Sequence, residues 1–182
     1  MKLIAFTGHK GSGKTTAAKS LTHMQSLLSF GAPIKRMLEA INVPREALHG
    51  TAEQKEAEIE WLGVSGRRMM QTLGTEWGRA LNPNIWVDVV RYEIRKAEQH
   101  GASIVVIDDV RFPNEAALVH ELGGILIRVT RSGCHGDGHA SETEIDDLDV
   151  HTTVVNDRSA EWLVHQVERA VRSVEGAKRR RS

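Results

Sequence analysis

Short apolar runs alternate with helix-like patterns along most of this chain. Five such runs predict β-strands, at about 2–7, 26–30, 103–108, 124–130 and 151–155. The run from Ser103 to Asp108 is apolar and unbroken, which is typical of a strand buried on both faces of a parallel sheet. Strands that alternate with helices indicate an α/β fold, in which helices cover the faces of a parallel sheet.

A long stretch between the second and third strands has a helical period instead. Asn82-Pro83 predicts the start of one helix there, with Asn82 as the N-cap and Pro83 at the first helical position. Beyond them, apolar residues recur on one helical face, namely Ile85, Trp86, Val89, Val90, Ile94 and Ala97. We therefore expect a long helical insert between these two strands.

The first strand leads into a glycine-rich segment, Gly8–Thr16, with the sequence GHKGSGKTT. The segment fits the pattern G-x-x-x-x-G-K-[ST] and is followed by helix-forming residues. Glycines let backbone N–H groups surround phosphate oxygens, and the N-terminus of the following helix adds positive potential. Lys14 is then placed to reach the β- and γ-phosphates, and Thr15 to bind Mg²⁺. This spacing predicts a nucleotide site.

Composition and charge narrow the class of protein. The chain has 182 residues, 40% of them hydrophobic, which is ordinary for one soluble globular domain. Lys+Arg and Asp+Glu both number 24, so no overall basic field favours nucleic acid. The basic run Lys178–Arg181 predicts a solvated tail. No apolar run reaches the roughly 20 residues that span a bilayer, and the single cysteine, Cys134, suits a reducing cytoplasm.

The predicted third strand ends in two carboxylates followed by a guanidinium, Asp108-Asp109-Val110-Arg111. Mg²⁺ is usually held by a carboxylate at the C-terminal edge of a central strand beside a phosphate loop. Asp108 is our candidate for that role and Asp109 the next, the alternative for each being that it caps the turn. Arg111 can bind a phosphate through two parallel hydrogen bonds, or form an ordinary surface ion pair.

The segment 65–79, SGRRMMQTLGTEWGR, carries a second set of polar candidates. Arg67 and Gln71 lie one helical turn apart and can bind one ligand, a guanidinium for a phosphate and an amide for a base edge. Gly74 and Gly78 fall on the same side, where glycine costs about 1 kcal/mol relative to alanine. We therefore expect something to approach this side closely; the alternative is a surface helix with glycines at its end.

Apolar residues of the same segment predict a packing stripe. Met69, Leu73 and Trp77 follow one another at i, i+4 and i+8. We expect core packing rather than base stacking for Trp77 and for Trp86, because four tryptophans in a small core need no ligand.

The loop from Arg131 to Asp149 differs from the rest of the chain. Its first part, Ser132–His139, holds three glycines and no apolar residue except Cys134. Such a segment does not pack tightly, so we expect a mobile lid. Cys134 with His135 and His139 is a poor zinc set, because one thiol lacks a second metal-binding pair.

Taken together, several segments resemble one family, the deoxynucleoside monophosphate kinases of tailed bacteriophages, in the nucleoside monophosphate kinase branch of P-loop folds. These segments follow one another in order along almost the whole chain: Gly8–Thr16, Phe30–Lys35, Arg67–Arg79, Asn84–Val87, Asp108–Glu115, His139–Glu142 and Val155–Asp157. The resemblance implies a three-layer α/β/α P-loop fold with a five-stranded parallel sheet. It also implies transfer of the γ-phosphoryl group of ATP to a deoxynucleoside 5′-monophosphate, giving the diphosphate and ADP.

The resemblance further implies an organisation and roles for individual residues. It predicts a single kinase domain at 1–174, with an acceptor-binding helical insert at about 31–100, a lid at about 131–149 and a basic disordered tail at 175–182. ATP would be bound by Gly11, Ser12, Gly13, Lys14, Thr15, Thr16 and Asp157, and Mg²⁺ by Thr15 and Asp108. The acceptor would be bound by Lys35, Arg67, Gln71, Asp109 and Arg111.

Catalysis, on the same resemblance, would depend on Lys14, Arg111 and an arginine entering the lid. That arginine is Arg128 or Arg131, of which we select Arg131 as the catalytic candidate. Asn156-Asp157, after the last strand, would lie near the adenine of ATP. Whether Arg67 or the adjacent Arg68 binds phosphate stays open.

The implied partners are ATP, a deoxynucleoside monophosphate and Mg²⁺, with no membrane and no specific nucleic acid, while a homodimer stays open. The expected location is the cytoplasm, that of a host if the chain is encoded by a phage. One alternative is another small-molecule P-loop kinase, such as a dephospho-coenzyme A kinase-like enzyme, which would share the phosphate loop, Lys35 and the lid. A second alternative is a P-loop ATPase switch that uses the basic tail.

Overall fold

A computed structural model describes residues 1–21, 26–134 and 144–180. Its main sheet has five strands: β1 (Lys2–Thr7), β2 (Ser26–Leu28), β5 (Ile104–Val110), β6 (Ile125–Thr130) and β7 (Thr152–Val155). The strands lie in the order β2-β5-β1-β6-β7, and every neighbouring pair is parallel. A separate antiparallel pair is formed by β3 (Glu58–Ile59) and β4 (Val64–Ser65). The predicted five-stranded parallel sheet is confirmed, with each strand within two residues of its predicted bounds.

Helices follow most of the strands. They are α1 (Lys14–Ser20), α2 (Ala32–Ala40), α3 (Arg45–His49), α4 (Ala52–Glu56), α5 (Gly66–Gln71), α6 (Ile85–Gln99), α7 (Pro113–Glu121) and α8 (Ala160–Arg179). A π-helix, Thr72–Arg79, continues α5, and a single 3₁₀ turn, Ile145–Asp147, precedes β7. The described part of the chain contains no helix with the length and apolarity needed to cross a membrane.

The core is built on the central strand β1, of which only Lys2 is exposed. Successive side chains of a strand point to opposite faces of the sheet. Ile4 and Phe6 pack in one cluster with apolar residues of α1 and α8, while α7 packs against β1 and β6. Helices on both faces give the predicted α/β/α layers, and they leave the carboxyl ends of the parallel strands to carry polar groups.

The chain divides into two compact units. The larger contains residues 1–29 and 90–182, and the smaller contains residues 30–89. The main sheet with α1, α7 and α8 belongs to the larger unit, whereas α2–α5, the π-helix and the first residues of α6 belong to the smaller one. The smaller unit falls within the insert predicted at about 31–100, whose acceptor-binding role stays a prediction.

Helix α6 begins later than predicted. The side-chain oxygen of Asn82 accepts a hydrogen bond from the backbone N–H of Asn84 over 2.9 Å, and the helix proper starts at Ile85. Asn82 therefore closes the turn before the helix and is not its N-cap. The apolar face predicted for α6 is confirmed, because Trp86, Val90 and Ile94 are buried.

The basic end of the chain is ordered further than predicted. Helix α8 continues to Arg179, so residues 175–179 of the expected disordered tail 175–182 are helical. Glu175 pairs with Lys2 over 2.6 Å, and the ammonium group of Lys178 donates to the carbonyls of Gly123 (3.0 Å) and Gly124 (2.8 Å). These contacts fix the last turns of the helix, which is why the charge run is not a free tail. Residues 181–182 lie outside the described residues.

Candidate active site

The segment Gly8–Thr16 forms a loop between β1 and α1, and its conformation depends on glycine. Gly8, Gly11 and Gly13 have φ angles of 139°, 81° and 105°, which L side chains rarely adopt. A Cβ atom on Gly8 would collide with the carbonyl of Val129, and one on Gly13 would lie 2.5 Å from the side-chain nitrogen of Asn156. Neighbouring protein groups thus occupy the space that a side chain at Gly8 or Gly13 would need.

Lys14, the first residue of α1, lies across this loop. Its side chain is buried, and its ammonium group donates to the carbonyl of Gly8 over 2.6 Å and to that of His9 over 2.8 Å. An ammonium group is a compact charge with three donors. Two carbonyl groups of the loop therefore hold the positive charge of Lys14 beside the loop.

A cavity of about 500 Å³ borders the loop. It is lined by Gly11, Gly13, Lys14, Thr15, Thr16, Arg131, Asn156, Arg158, Ala160 and Leu163. Three cations and the N-terminus of α1 lie at one cavity, an arrangement that favours an anionic ligand. Five of the seven residues predicted for ATP line it, namely all except Ser12 and Asp157.

The two exceptions differ from one another. Ser12 is only 1% exposed, and its backbone carbonyl accepts a hydrogen bond from the side chain of Asn156. Asp157 lines a neighbouring groove of about 570 Å³ along β7 and α8 instead of this cavity. Asn156 and Arg158, its neighbours in sequence, line the cavity by the loop. No motif in the sequence indicates a role for Arg158.

The predicted metal ligands lie together. The hydroxyl of Thr15 donates to a carboxylate oxygen of Asp108 over 3.1 Å. Hydroxyl and carboxylate oxygens are the hard ligands that Mg²⁺ prefers, and Mg²⁺ takes most of its other ligands from phosphates and water. Nowhere in the described residues do three or more His, Cys, Asp or Glu side chains gather as a metal site. The pair fits a nucleotide-bound Mg²⁺; His135 and His139 lie outside the described residues.

The adjacent carboxylate, Asp109, has a different partner. The hydroxyl of Ser29, directly after β2, donates to Asp109 over 2.6 Å. Asp108 is therefore directed to the start of α1 and Asp109 to the end of β2. The two aspartates, of which the sequence ranks Asp108 first as the Mg²⁺ ligand, have separate environments.

Arg111 follows β5, and a buried carboxylate fixes its backbone. Glu115 is 2% exposed, and its carboxylate accepts hydrogen bonds from the backbone N–H of Arg111 over 2.7 Å and of Phe112 over 3.2 Å. Glu115 thereby caps the N-terminus of α7. The sequence analysis assigns Glu115 no role, although a Glu three residues after an N-cap, here Phe112, is a known capping signal.

The two arginines that sequence left as alternatives at the lid are separated by the structure. One guanidinium nitrogen of Arg128 donates to the carbonyls of Ile145 (3.0 Å), Asp146 (3.0 Å) and Leu148 (2.9 Å). Arg131 is exposed and lines the cavity beside the loop. Arg128 therefore holds the backbone at the end of the predicted lid region, and Arg131 lies at the candidate site.

A side chain of the same stretch also contacts the loop. The Nε2 atom of His9 lies 3.1 Å from a carboxylate oxygen of Asp146. The end of the predicted lid region 131–149 is thus joined both to β6 and to the phosphate loop. Residues 135–143 of that region lie outside the described residues.

The smaller unit, taken by itself, carries three of the predicted acceptor residues. Lys35 lies in the first turn of α2, and Arg67 and Gln71 lie one turn apart on α5. The side chain of Arg67 is 16% exposed and its Nε atom donates to Glu56 over 3.2 Å, whereas Arg68 is exposed. Arg67 is therefore the guanidinium held in a fixed direction.

Gly74 and Gly78 do receive a close neighbour, and it is the protein itself. The indole N–H of Trp86 donates to the carbonyl of Gly74 over 2.6 Å, and a Cβ atom on Gly78 would lie 2.5 Å from the Trp86 ring. Ile34 approaches Gly74 in the same way, with a methyl group 2.7 Å from its Cβ position. The glycines admit a buried tryptophan, so they are no sign of a ligand.

The packing stripe predicted on this segment is wrong. Trp77 is 44% exposed, and Met69 and Leu73 are only partly buried, whereas Gly74 and Gly78 are buried. The reason is the π-helix at Thr72–Arg79. Its hydrogen bonds join residues i and i+5, so a stripe at α-helical spacing does not stay on one face. Core packing of Trp86 is confirmed.

Comparison with known proteins adds independent findings. Residues 46–167 match a family model described as deoxynucleotide monophosphate kinase. A protein of Acanthamoeba polyphaga mimivirus, named "Putative deoxynucleotide monophosphate kinase", is 37% identical over 92% of this chain and 94% of its own length. The deoxynucleoside-5′-monophosphate kinase of Escherichia phage T5 is 41% identical over 71 residues, 38% of this chain and 27% of that protein. The crystal structure of TT1252 from Thermus thermophilus is 20% identical, with a TM-score of 0.48 over 97% of both chains.

Proposed function

This chain belongs to the deoxynucleotide monophosphate kinase family, and we propose that its Gly8–Thr16 loop holds the ATP from which it phosphorylates a deoxynucleoside monophosphate. One observation carries the proposal. The buried ammonium group of Lys14 is held at the loop by the Gly8 and His9 carbonyls, at a cavity that Thr15 and Arg131 also line. The sequence left two alternative functions open, another small-molecule P-loop kinase, such as a dephospho-coenzyme A kinase-like enzyme, and a P-loop ATPase switch. Family membership favours neither of them.

The chemistry requires alignment and positive charge rather than a protein nucleophile. In phosphoryl transfer, negative charge spreads over the oxygens of the migrating group, and fixed cations stabilise it. Backbone N–H groups of the loop and the N-terminus of α1 would bind the β-phosphate, and Lys14 would bridge the β- and γ-phosphates. Arg131, at the same cavity, would contact the γ-phosphoryl group as it moves.

Mg²⁺ is the expected cofactor, and Thr15 and Asp108 are the residues that would hold it. When bound, Mg²⁺ would neutralise negative charge on the phosphates. The contribution of the chain is to direct a hydroxyl and a carboxylate to one point beside the loop. That arrangement comes from the pairing of β1 with β5.

For the acceptor we propose Lys35, Arg67, Gln71, Asp109 and Arg111. Arg67 and Arg111 would bind the acceptor phosphate, since a guanidinium binds phosphate through paired hydrogen bonds. Arg67 is held by the exposed carboxylate of Glu56, and the backbone of Arg111 is held by the buried carboxylate of Glu115. Gln71 would contact the base edge, because an amide both donates and accepts.

A coupled assay of ADP release tests this proposal. The enzyme is given ATP, Mg²⁺ and each of the four deoxynucleoside monophosphates in turn. We expect ADP release to depend on at least one acceptor, and Lys14→Ala to lower kcat by roughly a hundredfold or more. Lys19→Ala, an exposed lysine of the same helix, is the matched control. Full turnover in Lys14→Ala, or ADP release that none of the acceptors changes, would reject the assignment.

A further inference from the structure

We propose that Asn156 is a positioning residue for the phosphate loop, which sets the direction of the Gly13 backbone N–H by holding the carbonyl of Ser12. The inference rests on the proposed function in one respect, namely that ATP occupies this loop. It adds a residue that makes no contact with the reacting atoms. Asn156 would act through the loop's backbone.

The contact is buried and joins distant parts of the chain. The side-chain amide nitrogen of Asn156 donates to the Ser12 carbonyl over 2.8 Å, across 144 positions of sequence. Asn156 itself is 9% exposed, and its backbone N–H donates to the carbonyl of Thr130 over 2.8 Å. The backbone of Asn156 is therefore anchored to the end of β6, and its side-chain amide is directed at the loop.

Peptide geometry converts this contact into an orientation. The peptide group joining Ser12 to Gly13 is planar and trans, so its C=O and N–H point in opposite directions. Because Asn156 holds the oxygen on one side, the Gly13 N–H must point to the other side. Rotation of this peptide would leave a buried amide donor without its acceptor, which is costly.

Gly13 leaves no space in which the loop could relax. A Cβ atom at this position would lie 2.5 Å from the Asn156 amide nitrogen and 3.2 Å from Leu163. The backbone of Gly13 thus packs directly on the side chain that holds its neighbour. Because Gly13 has no side chain, the side-chain amide of Asn156 can lie directly against its backbone.

The N-terminus of α1 gives this orientation a purpose. Gly13 is the N-cap of α1 and has no side chain with which to cap the helix. N–H groups at the start of a helix can bind anions, and donors that are already directed at the anion need no reorganisation. Asn156 would keep one such donor directed at the phosphate before ATP arrives.

The test is a substitution that keeps the shape of the side chain. Asn156→Asp replaces the amide donor with a carboxylate oxygen, which repels the Ser12 carbonyl. We expect the Kd for ATP, measured by calorimetry without acceptor, and the KM for ATP to rise roughly tenfold or more, with the KM for the acceptor unchanged within about twofold. Asn156→Ser, which removes the donor without adding charge, should change the ATP constants in the same direction. Asn42→Asp, at an exposed asparagine, is the matched control and should leave the Kd and KM for ATP and the KM for the acceptor unchanged.

Two further comparisons make the outcomes distinct. If Lys14→Ala still binds ATP normally, the loop is not the ATP site and the proposed function fails first. If Lys14→Ala loses ATP while both Asn156 variants bind it normally, only the positioning role is overturned. Equal weakening of both substrates, or loss of folding in both variants by circular dichroism, would also overturn it, because either result marks Asn156 as a general structural residue.

Discussion

The hydroxyl of Thr15 donates a hydrogen bond to the carboxylate of Asp108 over 3.1 Å, although 93 positions separate the two residues. Thr15 lies in the first turn of α1, and Asp108 lies near the end of β5. Because β1 leads into the loop and pairs with β5, the sheet register brings these side chains together. The contact therefore follows from the fold, and it concerns the two groups that we propose as Mg²⁺ ligands.

Asp108→Asn should weaken the binding of Mg²⁺ more than it weakens the binding of the acceptor. The amide keeps the size of the side chain and removes the charge that a divalent cation requires. We expect kcat to fall by at least about tenfold and the Mg²⁺ concentration for half-maximal rate to rise. Turnover is measured over a Mg²⁺ titration, with Asp88→Asn, an exposed position in α6, as control. An unchanged Mg²⁺ dependence in Asp108→Asn would contradict the assignment.

Arg67→Ala should raise the KM for the acceptor by roughly tenfold or more and leave the KM for ATP near its normal value. The reason is that Glu56 holds the Arg67 guanidinium in place, so its loss removes an oriented phosphate ligand. The adjacent Arg68→Ala is the natural comparison, because Arg68 is exposed. A larger effect in Arg68→Ala would exchange the roles of the two arginines. If Arg67→Ala raised the KM for ATP and the KM for the acceptor equally, Arg67 would be excluded as a specific acceptor ligand.

Arg128→Ala and Arg131→Ala should separate stability from turnover. Arg128→Ala leaves three carbonyls without their charged donor, and we expect it to lower the free energy of unfolding by about 1–3 kcal/mol. Arg131→Ala should leave that free energy nearly unchanged and lower kcat, because Arg131 lines the cavity and is exposed. Urea denaturation and the ADP-release assay measure the two quantities. The opposite pattern would make Arg128 the catalytic arginine.

His151 should make folding stability depend on pH. Burial first, and then the charges of Lys178 and His120, lower the pKa of the His151 imidazole from its ordinary value of 6.5, while Asp149 acts in the opposite direction. The unfolded chain therefore takes up this proton more readily than the folded chain. The contribution of His151 is fully present above pH 6.5 and is lost as the pH falls through the lowered pKa.

His151→Gln tests this dependence. The difference in unfolding free energy between about pH 7.5 and about pH 5.5 should be smaller in the variant than in the natural protein. Denaturant titrations at both values measure it. His100→Gln, an exposed histidine, provides the comparison and should keep the natural dependence. If His151→Gln keeps it as well, another group must cause the loss of stability in acid.

The sequence predicted well those features that consecutive residues encode. Each strand is a continuous apolar run, and the loop is a fixed spacing of glycine, lysine and threonine, so both could be located without tertiary information. Thr15 and Asp108 were paired because parallel strands end at one edge of a sheet. The contact between their side chains agrees with that expectation.

Features that depend on tertiary contacts were missed or left open. An α-helical period predicts a packing stripe that includes Trp77, whereas the π-helix changes which side of the segment is buried. Arg128 and Arg131 differ only by the groups around them, and the carbonyls that bind Arg128 come from residues 145–148. The helical end at Lys178 depends on carbonyls of Gly123 and Gly124, more than fifty positions away. No local pattern contains such information.

The strand order has a consequence for how the molecule is made. Strand β1 lies at the centre of the sheet, where Lys2 pairs with Ile104 and Ile4 with Ile125. During synthesis this apolar strand leaves the ribosome long before either neighbour exists, and pairings so distant in sequence form slowly. The nascent chain therefore presents a hydrophobic edge for most of its translation, and shielding by a chaperone should raise the yield of native enzyme.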